Sequence, residues 1–247
     1  MYIDTDGIVL RQTKTINGRR MILLFTRQYG KISAGTSISE RGKNKTALAL
    51  RPFTLGHYEL FRGRDSYSIN GAETVNGYYA IGEDIDRFMA ASYVLELTDK
   101  LLPEDQPAPE FFTLLNDFFA VLEKRKSAFE TLVVGFQAKA LSLAGSEPLT
   151  ERCAICGKNE DLSYFSVMQG GSVCADCAEK LDRHKDRIFR VDADLLGVLR
   201  FLKSGPMRTL EDLALKPEME KRVRDILRAW YAWQLGIGDL RSEGLKL

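Results

Sequence analysis

The sequence lacks the features that mark membrane proteins and the common classes of enzyme. Its longest apolar runs, residues 21–25 and 132–136, fall far short of the roughly 18–20 residues of a membrane span. It contains no GxxxxGK(S/T) phosphate loop and no GxGxxG, HExxH or GxSxG motif. No charged and then apolar signal peptide opens the chain. These absences predict a soluble, cytoplasmic protein that has no membrane anchor and is not an enzyme.

Histidine is also scarce, with only two in 247 residues. His57 lies within a predicted strand, and no nucleophile and orienting group occur together near it in sequence, so a structural role is favoured over general-base catalysis. His184 follows the last cysteine by seven residues. The acidic group Glu83, Asp84 and Asp86 is better explained by a helix N-terminus, where carboxylates interact favourably with the helix dipole, than by a metal dyad.

Cysteine is absent outside residues 153–177, and that segment contains all four. They form two Cys-x2-Cys pairs separated by seventeen residues, the arrangement in which tetrahedral zinc is bound by four thiolates. Gly157 and the pair at 170–171 supply turns that let backbone amides point at the sulfurs. We predict one structural zinc ion bound by Cys153, Cys156, Cys174 and Cys177.

Two alternatives to structural zinc stay open at this point, an iron–sulfur cluster and a pair of disulfides. Disulfides are rare in a reducing cytosol, which argues against the second. A catalytic zinc ion needs an open coordination position, and four thiolates leave none. A zinc-dependent hydrolase is therefore the least favoured function.

The net charge of +1 conceals an uneven distribution along the chain. Residues 1–80 carry twelve Lys and Arg against six Asp and Glu, residues 81–150 carry six against twelve, and the remainder carries seventeen against sixteen. A basic first segment suggests a polyanionic partner, because clustered positive charge attracts phosphate. The alternative is that a small sheet domain exposes Lys and Arg by chance.

The first 80 residues predict a small closed β-barrel. Five short apolar or alternating runs, at 8–10, 21–25, 31–38, 53–61 and 67–75, are separated by turn signals. A barrel removes exposed strand edges, and an oligonucleotide-binding (OB) barrel is the leading candidate. The connection at 39–52 is long and basic, which is typical of a functional or mobile loop.

Helical periodicity follows from residue 81 onward. Apolar stripes at 81–101, 111–122 and 129–143 predict three helices that pack together, and further helical patterns occur at 195–202, 209–215 and 217–235. Trp230 and Trp233 are expected in the core rather than on a base-stacking surface. The overall expectation is an α+β multidomain chain: an OB domain at 1–80, a helical domain at 81–150 and 181–247, and a zinc-finger insert at 151–180.

Several segments together resemble the bacterial RecO family of recombination mediators. They include DGIVL, LFTRQYGKISA, LRPFTLGHYELFRG, ASYVLELTDKLLPE, the cysteine quartet and the terminal LGIGDLRS. The resemblance covers nearly the whole chain in order and implies an OB barrel, a helical body and a zinc finger. It also implies a non-enzymatic role: binding single- and double-stranded DNA, annealing complementary strands and, with RecR, loading RecA onto strands coated by single-strand-binding protein.

We predict DNA contacts at strand ends and connections of the barrel, where cations can reach solvent: Arg11, Arg19, Arg20, Arg27, Lys31, Arg41, Lys43, Lys45 and Arg51. Arg62 is a further candidate if the cations of the connection 39–52 do not contact phosphate. Tyr29 or Tyr58 could stack on bases or fill the barrel. The tail of single-strand-binding protein is expected on the acidic helical body, with Lys139, Arg125 or Lys126 as its cations. The alternative function is a basic adaptor that bridges proteins without annealing DNA.

Overall fold

The computed structural model describes residues 1–15, 20–38, 45–64, 66–182 and 185–242. The chain divides into two compact units, residues 1–125 with 241–247 and residues 126–240. The first unit contains strands β1 (Tyr2–Lys14), β2 (Arg20–Thr26), β3 (Gly30–Thr36), β4 (Leu55–Arg62) and β5 (Tyr67–Asn76), and helices α1 (Lys45–Ala49), α2 (Ile85–Leu101) and α3 (Pro109–Lys124). A 3-10 turn, Tyr79–Glu83, precedes α2.

The five strands close into a barrel in the order β1-β2-β3-β5-β4. All pairs are antiparallel except β3 with β5, and β4 returns to pair with β1. Strand β4 alternates buried and exposed residues over most of its length, as expected when one face lines the interior. The core contains Val9, Ile22, Leu24, Tyr58 and Leu60. The predicted OB barrel, within a mixed α+β chain, is confirmed.

Each predicted strand overlaps an observed one, within about two residues at most ends, with one large difference. Strand β1 begins at Tyr2 and not near residue 8, because its first half pairs with β4 from Tyr2 opposite Phe61 to Ile8 opposite Leu55. Only Ile3 and Thr5 of residues 2–6 are buried, so this half carries too few apolar side chains for sequence to mark it as a strand.

The second unit contains helices α4 (Phe129–Leu143), α5 (Ala175–Ala178), α6 (Ala193–Lys203) and α7 (Pro217–Gln234), and strands β6 (Leu162–Ser166), β7 (Gly171–Cys174) and β8 (Ile188–Arg190). Helix α4 packs against α6 and α7, and every residue from Thr131 to Leu141 is buried. At Gly135 a Cβ atom would lie 2.3 Å from Leu210 Cδ1, so glycine permits this close approach.

Three helical expectations are corrected by the structure. The three helices of residues 81–150 do not form one group, since α2 and α3 belong to the first unit while α4 belongs to the second. A helix over residues 209–215 is wrong, because only a 3-10 turn at Met207–Leu210 forms there. Trp230 is buried as predicted, but Trp233 is 47% exposed, with Arg187 5.0 Å from its ring centre.

None of the helices that the structure describes is long and apolar enough to cross a membrane. Strands β6, β7 and β8 form a separate three-stranded sheet in the order β7-β6-β8. The four cysteines lie in this sheet or in the segments that adjoin its strands in the chain.

Candidate metal centre and nucleic-acid interface

The four cysteines converge on one site in the second unit. Cys153 and Cys156 lie in the turn before β6, Cys174 ends β7, and Cys177 lies in α5. The Ala154 amide donates to the Ser172 carbonyl across 2.8 Å, which holds the first turn against β7. The first pair thus lies in a turn and the second pair at the end of a strand, and the small sheet brings the two close together.

The sulfur geometry fits a metal ion. The four Sγ atoms all lie within 4.8 Å of one another, and those of Cys156 and Cys174 are 3.7 Å apart. Four thiolates about 2.3 Å from a tetrahedral ion would be separated by roughly 3.8 Å. None of the four is in a disulfide. The residues can therefore hold a metal ion through an all-sulfur donor set.

Backbone amides and burial act in opposite directions on these thiols. Burial raises the pKa of Cys153, but N–H donors from Cys156, Cys174 and Ile155 outweigh it and lower the pKa to about 6. At Cys177 burial and the neighbouring thiols raise the pKa to about 12. Four thiolates cannot ionise together at this spacing without a compensating cation, and a divalent ion at the centre supplies that charge.

The barrel exposes three of the predicted DNA-binding cations. Arg11 is 60% exposed and its Nε lies 3.3 Å from Asp99 Oδ2. Arg27 is exposed with its guanidinium 4.8 Å from the Phe112 ring centre, and Arg51 is exposed at the start of the segment leading into β4. These three side chains are available to phosphate.

Two other predicted cations are held by contacts within the fold. Lys31 is only 7% exposed, and its Nζ donates to the carbonyl and to Oδ1 of Asp99 at 2.6 and 2.9 Å. Arg20 is half-buried and donates to the Ile38 carbonyl at 2.8 Å and to Gln12 Oε1 at 3.0 Å. The expectation of full solvent access is wrong for Lys31, and Arg20 reaches solvent only in part, because each donates to internal acceptors. Arg19, Arg41, Lys43 and His184, with the side chain of Lys45, lie outside the described residues.

Several other candidates occupy structural positions. Tyr58 is fully buried and donates its hydroxyl to the Ala49 carbonyl, so it fills the barrel and cannot stack on a base. Tyr29 is half-buried against the barrel core. Lys139 is 4% exposed and donates to the Ser204 and Gly205 carbonyls, which corrects its assignment as a peptide-binding cation. Arg125 is likewise buried, at 7% exposure.

The remaining titratable groups singled out in the sequence have local partners. Asp84 accepts from the Arg87 amide at 2.9 Å and is the N-cap of α2, as its position predicts. His57 is 48% exposed on β4 and lies 3.0 Å from Asp6 Oδ1, on the outer face of the barrel.

Sequence reasoning did not identify an aromatic cleft of about 840 Å³ in the first unit. Its walls include Phe53, Tyr78, Tyr79 and Phe88. One sequence signal could have indicated it: the doublet Tyr78-Tyr79, directly after the turn-forming residues Asn76 and Gly77. The doublet lies between a predicted strand and a predicted helix, so the periodicity of neither element accounts for these two aromatic residues.

Comparison with known proteins places these features in a family. The model described as Recombination protein O N terminal matches residues 1–78, and Recombination protein O C terminal matches residues 82–244. A DNA repair protein RecO of Caldanaerobacter subterraneus subsp. tengcongensis is 31% identical over 92% of this chain and 92% of its own. The DNA repair protein RecO of Myxococcus xanthus is 32% identical over 94% and 92%. That of Alkaliphilus metalliredigens is 28% identical over 93% and 92%.

Proposed function

The chain belongs to the RecO family of DNA repair proteins, and on this basis we propose that it is a recombination mediator. In this proposal it binds single- and double-stranded DNA, anneals complementary strands and, together with RecR, helps to load RecA at the nucleoid. The observation that carries the proposal is the closed barrel in OB strand order with Arg11, Arg27 and Arg51 exposed on it.

Annealing requires a protein to screen two phosphate chains without reading base edges. Arginine and lysine on a barrel surface do this by releasing counterions, and the resulting affinity is independent of sequence. No covalent chemistry is required, so the proposed role is non-enzymatic.

The metal in the proposal is one zinc ion held by Cys153, Cys156, Cys174 and Cys177. Zinc bound by four thiolates has no open position for water, so it supplies cross-linking of the small sheet and no hydrolysis. The support for this assignment is the sulfur spacing together with the amide donors around Cys153.

We also propose that RecR and the tail of single-strand-binding protein are protein partners. Of the three cations considered for the tail, only Lys126 is exposed. Replacing Lys126 by Ala should weaken binding of the tail peptide, measured by fluorescence anisotropy, while Lys139→Met should leave it unchanged apart from any loss of folded protein. Equal effects of the two changes would contradict this placement.

The function is tested by titrating binding to a labelled single strand against salt. For single strands, log K falls with log salt with a slope of about 0.7 per phosphate neutralised. Replacing Arg41, Lys43 and Lys45 together by Ala should flatten the slope by up to about 2 and slow annealing of complementary strands. A matched triple change of the exposed Lys180, Arg208 and Lys221 should leave both unchanged.

The outcomes separate the mediator from the adaptor. An adaptor that never contacts DNA gives no salt-dependent line for any variant. A wild-type slope and annealing rate in the Arg41, Lys43 and Lys45 variant would move the phosphate contacts elsewhere on the barrel, with Arg62 as the exposed candidate.

A further inference from the structure

The aromatic cleft lies entirely within the first unit. Its walls come from β1, from the segment between α1 and β4, from the residues after β5, and from α2. Tyr79 is 58% exposed and Phe88 40% exposed, and the Phe88 ring meets Phe53 edge to face with centres 5.4 Å apart. Two flat apolar surfaces are therefore available in a cavity of about 840 Å³.

The backbone holds unusual conformations to build these walls. Phe53 and Tyr78 have φ values of 66° and 43°, in the left-handed region that bulky residues rarely adopt. Tyr78 is held there by its buried ring and by its hydroxyl, which donates to Asn116 Oδ1 at 2.8 Å. Such strain persists only where the surrounding structure enforces it, and it occurs often at ligand sites.

Gly77 sets the position of the Tyr79 ring. A Cβ atom at Gly77 would lie 2.4 Å from Tyr79 Cζ, so the ring lies directly over the glycine backbone. Gly77 does not itself have a left-handed φ. An alanine at this position would therefore displace the ring without straining the backbone.

The charges in the cleft leave it with an excess of free cations. Asp99 is paired with both Lys31 and Arg11, and Glu96 accepts from the backbone amide of Arg241 at 3.0 Å. Arg51 and Arg241 are exposed, and neither is in an ion pair with any carboxylate among the described residues. The wall thus offers guanidinium groups whose charge is not already neutralised.

We propose that this cleft binds unpaired bases of a single DNA strand, which stack on Tyr79 and Phe88 while the adjoining phosphates lie beside Arg51 and Arg241. Bases have exposed faces only when unpaired, and aromatic rings with nearby cations bind them with little sequence preference. Arg51 is also one of the exposed cations assigned above to phosphate contact, so the cleft adjoins the proposed phosphate contacts. The inference rests on the proposed function and assigns to it a site for single strands.

The test compares a fluorescein-labelled fifteen-residue oligo-dT with an abasic strand of the same length. Tyr79→Ala and Phe88→Ala should each weaken oligo-dT binding by about 5- to 150-fold, the effect of losing one stacked base. The salt slope should not change, because no phosphate contact is lost. Both variants should bind the abasic strand as tightly as the wild-type protein does. Phe201→Ala removes an aromatic side chain of similar exposure, 48%, from the second unit and should have no effect.

Gly77→Ala provides a variant in which both rings are retained. It should reduce the preference for oligo-dT over the abasic strand while the circular dichroism spectrum and urea midpoint stay near those of the wild type. Arg51→Ala and Arg241→Ala should instead flatten the salt slope for both strands, each by about 0.7.

The possible failures are distinguishable. If wild-type protein shows no salt-dependent binding to either strand, the proposed function fails together with this inference. If it binds with a full slope but the two aromatic variants bind both strands as the wild type does, or weaken both equally, only the cleft assignment is wrong. If the same variants lose the tail peptide of single-strand-binding protein while retaining oligo-dT, the cleft is a peptide site and the inference is overturned.

Discussion

Lys31 is predicted to be a structural lysine that ties the barrel to α2. Its ammonium group donates to the carbonyl and carboxylate of Asp99, sixty-eight residues later in the chain. A backbone hydrogen bond also joins β3 to the segment after α2, since the Asp105 amide donates to the Lys31 carbonyl at 3.0 Å. Replacing Lys31 should therefore change stability and leave DNA contacts unchanged.

The two partners of this ion pair should not be equally costly to remove. Lys31→Met keeps the apolar stem and leaves Asp99 paired with Arg11 and 21% exposed, so we expect a loss of about 1–2 kcal/mol. Asp99→Ala leaves the Lys31 ammonium, 8% exposed, without a carboxylate, and breaking a buried pair in this way costs about 3–5 kcal/mol. The backbone carbonyl of residue 99 still accepts from the Lys31 ammonium, so we expect the loss to lie near the lower end of this range.

Urea unfolding of the two single variants and the double variant measures the asymmetry. In the Asp99→Ala background, adding Lys31→Met should leave stability unchanged or increase it, because it removes a buried ammonium group that has no carboxylate partner. The salt slope for single-stranded DNA should equal that of the wild type in Lys31→Met. A slope reduced by about 0.7, with no loss of stability, would show that Lys31 contacts phosphate and that its structural assignment is wrong.

Three further predictions concern other sites. Elemental analysis should find about one zinc ion per chain, and Cys174→Ser should lower thermal stability of the insert while the barrel keeps its strand signal; two disulfides in protein purified without oxidant would contradict this. Burial raises the pKa of Glu96, but amide donors from Ser242 and Arg241 outweigh it and lower the pKa below the ordinary 4.5. Hydrogen-exchange protection of these two amides should therefore be complete above pH 4.5 and fall as pH drops through the lowered pKa. In Glu96→Ala, which has no acceptor, protection should be lost at neutral pH, and unchanged protection there would refute the contact. Lys139→Met should destabilise the second unit by about 1–3 kcal/mol, because the Ser204 and Gly205 carbonyls lose their buried donor, and a urea midpoint equal to that of the wild type would contradict this.

The barrel and the cysteine site were predictable because local patterns determine them. The alternating apolar and polar residues of β4 and the turn signals between the strands are visible within a few residues, and the two Cys-x2-Cys pairs need only one strand pairing to meet. The first half of β1 was missed because its partner, β4, lies 47 to 59 residues away and its own side chains are mostly polar. Strand pairing at that separation leaves no local periodicity.

The roles of individual cations were not predictable in the same way. Lys31 and Lys139 are chemically like any surface lysine, and their burial depends on carbonyl acceptors sixty-five or more residues away. Trp233 shows the reverse case, since it was expected in the core together with Trp230 although it is 47% exposed and lies beside Arg187. Residue type gives the chemistry available, whereas tertiary contacts decide whether solvent or a ligand can reach it.

The same distinction changes how charge would attract DNA under the proposed function. Along the sequence the first 80 residues carry a net +6, but the compact unit also includes α2, α3 and residues 241–247. Residues 1–125 with 241–247 hold eighteen Lys and Arg against seventeen Asp and Glu. Residues 126–240 are likewise balanced at seventeen against seventeen. A nearly neutral unit has little long-range positive field, and exposed charges are screened beyond about 8 Å at physiological salt. Under the proposed function, phosphate would therefore be bound by local groups of cations. Charge reversal on the acidic face of α3, for example Asp117→Lys, should accordingly change DNA affinity far less than removal of Arg51.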